Sequence, residues 1–310
     1  NKEKNLKLYI VRDGSFTING GRPSSNLLHY ETFGKRYTKT FKEVVIIGRL
    51  FNVEDATALP LEGDGVTFKS LPGKRGVLGA LSSLLTTFLC AWKTIKPGNA
   101  YLLRVPGTIP IIFYIVLKIK RVPFAVEVAA DPHDSYSSAS LNGHKFALLV
   151  QKFFVFFTSA QCLDAVTSLY VTKNALQKRY PPSKNSKSFG CTSIDLPKSM
   201  FRKEARSFLL SKENPVKLIL VGNMESKMKG HDVLFDAIHY LKNDGYNITL
   251  NVIGYGKYRG FFEGYLNDLN LKEEVCFSGK LSSGVEIFKC MEKAEVNWQN
   301  TLGGWIYIHD

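Results

Sequence analysis

Short apolar, β-rich runs alternate with segments long enough for helices, and along this chain the alternation runs, breaks off and starts again. Few folds accept such a pattern. Near-continuous apolar strands that alternate with helices build parallel sheets covered on both faces. In the first run the strands are expected at Leu6–Val11, Glu43–Arg49, Val66–Leu71, Ala100–Arg104, Phe124–Ala129 and Ala165–Val171. Helices are expected over Ser24–Tyr37, Val77–Ile95, Thr108–Ile119 and Lys145–Gln161. Tyr180–Lys198 is rich in Pro, Ser and Lys, lacks helical periodicity and reads as a linker. After a short helical stretch, Phe201–Leu210, strands are expected at Lys217–Val221, Ile248–Ile253 and Val275–Ser278. Their helices are Gly230–Asn243, Tyr258–Leu269 and Gly284–Lys293. The fold class is therefore α/β, with one domain over residues 1–190, a linker over 191–200 and a second domain over 201–310. Two such sheets in tandem leave a cleft, and open α/β sheets bind ligands beyond the carboxyl ends of their strands.

Charge is distributed unevenly. Residues 1–190 hold 26 Lys and Arg against 12 Asp and Glu, whereas residues 191–310 hold 15 of each. A one-sided basic surface attracts polyanions, among them an anionic membrane face or a phosphorylated substrate. Aromatic residues do not interleave with the basic ones as in a nucleic-acid module, so no nucleic-acid partner is expected. The five cysteines are scattered without metal or disulfide spacing, which fits free thiols in a reducing, cytoplasmic compartment. Val105–Leu117 and Phe146–Ala160 are the most apolar stretches. Both fall short of the roughly 20 residues a bilayer span needs. No signal peptide is read at the start, and the chain is expected to be soluble or peripheral at a membrane.

The sharpest local feature runs from Leu218 to Ala237. A strand ends in Gly222, a polar loop follows, and Lys229-Gly230 opens an amphipathic helix whose stripe is Leu234, Ala237, Ile238 and Leu241. Exposed N–H groups, the positive end of the helix dipole and an adjacent lysine suit phosphate binding. A plain strand–turn–helix with a solvated lysine is the other reading, and the G-x-x-x-x-G-K-[ST] pattern of a P-loop is absent.

This strand–VG–loop–KG-x-D-x-L–helix order resembles the second domain of family 4-like glycosyltransferases of bacterial polysaccharide assembly. The following elements match as well: a strand ending in Gly254-Tyr255-Gly256, a helix, then Val275–Gly279 (VCFSG) and a helix with Ile287 and Phe288. In the first part, Gly20-Gly21 after the first strand and Ala165–Pro182 before the linker look similar too. The resemblance implies a GT-B architecture of two Rossmann-like domains and transfer of a sugar from a UDP- or GDP-sugar to a glycan or lipid-linked acceptor. No cofactor beyond that substrate is implied. Lys229 and Gly230 would contact the donor diphosphate, with Asn223 standing where the family often has Arg. Gly254 and Gly256 would admit the nucleotide to the backbone, and Gly20-Gly21 would lie near the acceptor.

Asp131-Pro132-His133-Asp134 starts a loop after the strand FAVEVAA and loosely resembles a D-P-aromatic-D loop of related polysaccharide enzymes. Asp131 and His133 could orient an acceptor hydroxyl or act as its base, or merely cap the loop. Arg104, at a strand end, is a candidate for an anionic acceptor or for a structural role. No metal motif is present. Gly254-x-Gly256-x-x-x-Gly260 follows the second strand of its domain, not the first, which argues against a dinucleotide site.

The family continues with a strand near Glu295, a Pro-Ser loop and an E-G-x-P…E stretch. Here EVNWQNTLGGWIYIHD lacks the acidic pair and reads as altered or truncated sequence rather than that strand. A second domain that is incomplete, with an unpaired sheet edge, is the resulting expectation. Two rival readings follow: a catalytically impaired remnant or binding subunit, and a GT-B-like nucleotide-sugar epimerase.

Overall fold

The computed structural model describes residues 6–26, 28–72, 77–138, 140–141, 144–191, 212–281 and 284–298. It divides into two compact units, residues 1–135 with 149–195 and residues 136–148 with 196–310. The first holds the strands β1 (Lys7–Asn19), β2 (Arg22–Ser25), β3 (Glu43–Glu54), β4 (Leu59–Pro60), β5 (Val66–Pro72), β6 (Ala100–Val105), β7 (Ala125–Val128), β8 (Thr167–Tyr170) and β9 (Lys187–Gly190). Its helices are α1 (Val77–Thr94), α2 (Thr108–Lys120), α3 (Pro132–Ser135), α4 (Ala147–Asp164), which begins within residues 136–148, and α5 (Ala175–Arg179).

Strands β5, β3, β1, β6, β7, β8 and β9 follow one another as parallel neighbours, while β2 and β4 add antiparallel pairs beside β1. Successive strand side chains point to opposite faces, so adjacent apolar residues fill two cores. Val11, Ile47, Leu103 and Val126 pack with Ala91 of α1, Phe113 and Val116 of α2 and Cys162 of α4. Ile10, Ile46 and Leu102 face the other way and pack with Phe16, Leu28, Phe33 and Leu61.

The second unit holds β10 (Val216–Val221), α6 (His231–Asn243), β11 (Ile248–Ile253), α7 (Arg259–Asp268), β12 (Val275–Gly279), α8 (Gly284–Glu292) and β13 (Val296–Trp298). Its sheet is parallel, in the order β12-β11-β10-β13. Leu234, Phe235 and Ile238 of α6 join Val252, Phe262 and Leu266 in its core. Together these are the two Rossmann-like domains of the GT-B fold.

Three expectations need correction. Ser24–Tyr37 is not one helix: Ser24 and Ser25 close β2, and the rest is a π-helical turn at Tyr30–Gly34 followed by a 3₁₀ turn at Lys35–Tyr37. The Gly20-Gly21 turn sends the chain back along β1, with Asn19 opposite Arg22, which commits Ser24 and Ser25 to the sheet. The linker stretch contains β9, which adds to β8 with Tyr170 opposite Gly190. Third, the strand thought to be missing near Glu295 is present. Val296–Trp298 pairs with β10 in parallel, so β10 is flanked on both sides. Phe201–Leu210 and the residues after 298 lie outside the described residues.

Candidate functional site

In the second unit, the loops after the parallel strands are packed backbone against backbone. The N–H of Gly222 donates to the carbonyl of Ile253 at 2.9 Å, and the N–H of Gly254 to that of Gly279 at 2.8 Å. A Cβ on Gly254 would lie 1.8 Å from the carbonyl oxygen of Gly222, and one on Gly256 would lie 2.2 Å from the carbonyl carbon of Met224. These glycines are therefore required where the loop after β11 meets the loop after β10, which accounts for them without a nucleotide. The hydrogen bonds Met224 N–H to Tyr255 O and Tyr258 N–H to Met224 O, both 3.0 Å, tie the same loops together.

That rigid pair of loops presents Lys229. Its aliphatic stem lies over Gly222, where an added Cβ would stand 3.2 Å from Lys229 Cγ. Among the described residues Lys229 makes no side-chain hydrogen bond or ion pair. Gly230 follows in the left-handed region, φ 65°, and starts α6. Glycine tolerates that conformation and side chains resist it. The first N–H groups of a helix have no intrahelical acceptor, and they carry the positive end of its dipole. The Lys229 ammonium thus stands beside the start of α6, where the N–H of Val233 donates to Asp232 Oδ1 at 3.1 Å. Lys227 is engaged elsewhere, with Nζ 3.8 Å from the Phe261 ring centroid. Exposed Asn223 only accepts a loop hydrogen bond from the N–H of Glu225 at 3.4 Å.

Sequence reasoning passed over His231, the first residue of α6. It is fully buried, stacks on Phe262 at 4.7 Å between centroids, and neither ring nitrogen has a hydrogen-bond partner among the described residues. Burial, reinforced by the charge of Lys229, lowers its pKa to about 4, although Asp232 pulls the other way. The imidazole beside the site is therefore neutral.

In the first unit, adjacent positions of β1, β6 and β7, at the carboxyl ends of β6 and β7, carry a charged row. Arg12 is in register with Arg104, and Arg104 with Glu127. Arg104 Nε stands 3.3 Å from Glu127 Oε1, and the guanidinium lies over the Phe33 ring. The next residue, Asp13, is spent. One oxygen is paired with Arg49, and the other accepts the N–H groups of Thr108, at 2.7 Å, and Ile109, at 3.4 Å, where α2 begins. Gly20 and Gly21 form the exposed turn between β1 and β2, with the N–H of Gly20 on Glu54 at 2.7 Å.

The Asp131 loop divides into an anchor and a free group. Asp131 accepts the N–H of His133 at 2.9 Å and the hydroxyl of Tyr180 at 2.6 Å, and it is paired with Arg179. Its acceptor capacity goes into holding the loop. His133 is 57% exposed, with Nδ1 3.2 Å from Asp134 Oδ1, which leaves Nε2 toward solvent. The residues that immobilise Asp131, Arg179 and Tyr180, come from the end of α5 and had no signal in the sequence.

Among the described residues, no group of three or more His, Cys, Asp or Glu side chains could hold a metal ion. All five cysteines are unpaired. No described helix is long and apolar enough to cross a membrane.

Residues 201–298, within the second unit, match the family model of glycosyl transferases group 1. Protein CapJ of Staphylococcus aureus is 28% identical over 247 residues, covering 79% of this chain and 60% of CapJ. The chain thus spans less than two thirds of that relative. An α,α-trehalose-phosphate synthase (UDP-forming) from Burkholderia vietnamiensis superposes with a TM-score of 0.59 at 11% identity, over 96% of this chain and 77% of the other. A UDP-forming synthase of the same kind from Burkholderia xenovorans gives 0.54 at 12% identity, over 96% and 78%. These two likenesses establish the fold.

Proposed function

We propose that this protein transfers a sugar from a UDP- or GDP-sugar to a hydroxyl of a glycan or lipid-linked acceptor during polysaccharide assembly. The observation that carries the reading is Lys229 unpaired beside the start of α6, inside the segment matched by glycosyl transferases group 1. In the proposed reaction the bond from the anomeric carbon to the diphosphate oxygen breaks and the acceptor oxygen takes its place. Charge builds on the departing diphosphate, where Lys229 and the N–H groups of the first helical turn can receive it. Asn223 and Gly230 border the same loop, and Gly254 and Gly256 keep it close to its neighbour. On the acceptor side, His133 oriented by Asp134 is the free imidazole and takes the hydroxyl proton, while Asp131 holds the loop. Gly20, Gly21 and Arg104 belong to the acceptor unit in this reading.

The test is release of nucleoside diphosphate from UDP- and GDP-sugars with and without glycan acceptors. Lys229→Ala should weaken UDP or GDP binding roughly ten- to a hundredfold, the equivalent of a lost charge-assisted hydrogen bond at about 1.5–3 kcal/mol. Unchanged affinity by calorimetry would remove Lys229 from the donor site.

The first unit also has the makings of a peripheral membrane surface at the cytoplasmic face. Leu85 and Trp92 on α1 and Leu149 and Phe156 on α4 are exposed, and α1, α2 and α4 all pack on one face of the sheet. Lys120 lies over the Trp92 ring at 4.7 Å, a pairing of base and aromatic that suits an anionic interface. The protein should bind anionic vesicles and be partly released by salt, with a salt-resistant remainder that Phe156→Ser reduces. Equal binding to neutral vesicles at every salt concentration would show that charge plays no part.

A further inference from the structure

The face of the first sheet that carries Ile10, Leu102 and Ala125 changes character at its carboxyl end. Those three residues are in register with one another, and two positions further on stand Arg12, Arg104 and Glu127. An apolar layer thus ends in a charged row across three adjacent strands. Arg104 is 9% exposed and Glu127 2%, far inside for charged groups. Their pairing is unfinished: among the described residues, Arg104 Nε lacks a hydrogen bond of good geometry and Glu127 Oε2 has no hydrogen-bond partner. A buried charge with unmet hydrogen-bonding capacity is costly unless something supplies the missing partner.

Charge balance indicates what is missing. Arg12 makes no side-chain hydrogen bond or ion pair among the described residues, and its guanidinium lies 5.7 Å from the Phe16 ring centroid. Gly14 leaves room for it, since a Cβ there would stand 2.9 Å from Arg12 Nε. Burial and the charge of Arg104 lower the Arg12 pKa to about 10, with Asp13 and Glu127 opposing. Arg36 adds a third cation nearby, over Phe33 and donating to the Tyr37 hydroxyl at 2.9 Å. Against these guanidinium groups stands Glu127, because Asp13 is committed to Arg49 and to the start of α2. Phe33, Tyr37 and Cys191 complete the surroundings: Arg104 lies over Phe33, and Glu127 raises the pKa of both Tyr37 and Cys191, after burial.

An oxyanion would satisfy the surplus guanidinium groups, and a hydroxyl donor would satisfy the orphan carboxylate oxygen. We infer that Arg12, Arg104 and Glu127 form a recognition site for an acidic sugar, with the arginines on its phosphate or carboxylate and Glu127 accepting a ring hydroxyl. The inference rests on the proposed role of the first unit as the acceptor unit and gives that acceptor a chemical class. Planar guanidinium groups suit both oxyanions, and the carboxylate rejects a ligand that offers no hydroxyl.

Calorimetry on the full chain with glucose 6-phosphate, glucuronate, glucose and inorganic phosphate, at fixed ionic strength, tests this. At least one acidic sugar should bind about tenfold or more tightly than glucose and than inorganic phosphate, and comparing the two shows which oxyanion is preferred. Arg12→Gln should abolish that preference while the melting temperature holds, since Arg12 has no partner to strand. Glu127→Gln should narrow the gap between glucose 6-phosphate and inorganic phosphate. Should Arg104→Met fail to fold, the Arg12 and Glu127 variants still decide. Glucose binding as tightly as both acidic sugars, or an Arg12→Gln protein binding as the parent does, would overturn the site. UDP titrated into the same samples separates the two proposals. UDP binding without acidic-sugar binding removes this site alone, and the reverse removes the donor reading.

Discussion

Gly254→Ala should destabilise the second unit by about 3 kcal/mol or more, lowering its melting transition by ~10 °C or more. The added methyl would meet the carbonyl oxygen of Gly222 at 1.8 Å. That obstacle is backbone, held by the hydrogen bond from Gly222 to Ile253, so no side chain can turn aside to make room. Relief requires the loops after β10 and β11 to separate, and Lys229 lies over one of them. Donor affinity should therefore fall together with stability. Gly264, within α7, is the control, because a Cβ there meets nothing within 4 Å. Gly264→Ala should stabilise by about 0.5–1 kcal/mol, the usual helix preference. Calorimetric melts of both variants give the comparison, and equal transitions would mean that the loops are not rigidly packed.

The second large effect concerns pH. His231 is neutral when folded, with a pKa near 4, against an ordinary value of 6.5. Its folded value is depressed, so its neutral state adds nothing to the pH dependence above 6.5. Below that, the unfolded chain takes up a proton that the folded one refuses, and stability falls as pH drops from about 6.5 to about 4. The full loss is about 3 kcal/mol. His231→Leu, which removes the titrating ring, should flatten the acid side of the stability profile between those limits. An unchanged acid slope in that variant would assign the pH dependence to other groups.

The sequence revealed elements whose burial is repetitive and concealed those set by pairing or by register. Ile248–Ile253 was legible to the residue because it is a short apolar run that pairs in parallel with β10. Strand β9 was not, since Lys187–Gly190 offers one large apolar residue, Phe189, and that one is exposed; its existence depends on backbone bonds to β8. Strand β13 was missed for its brevity. The turn region after β2 misled because its apolar residues suggest a helix, although Leu28 and Phe33 are buried against the sheet from short turns. Among site residues, Lys229 and Gly230 could be read from local order. Arg104 drew notice alone, whereas its significance comes from Arg12 and Glu127, which lie far away in sequence and meet it only through strand register. A charge inside an otherwise apolar strand, as Glu127 is, was the available signal.

Asp13 has a wider consequence. The start of α2 sits at the carboxyl end of the first sheet, where open α/β folds usually seat a phosphate. Here the carboxylate of Asp13 already fills that seat, gripping the N–H groups of Thr108 and Ile109 and tethered by Arg49. The first unit carries a built-in counterfeit of a phosphate group at that position. At the start of α6, by contrast, no residue from a distant strand fills the corresponding place among the described residues. The two units share a parallel α/β scaffold, yet in the first a carboxylate of the chain itself occupies the helix start.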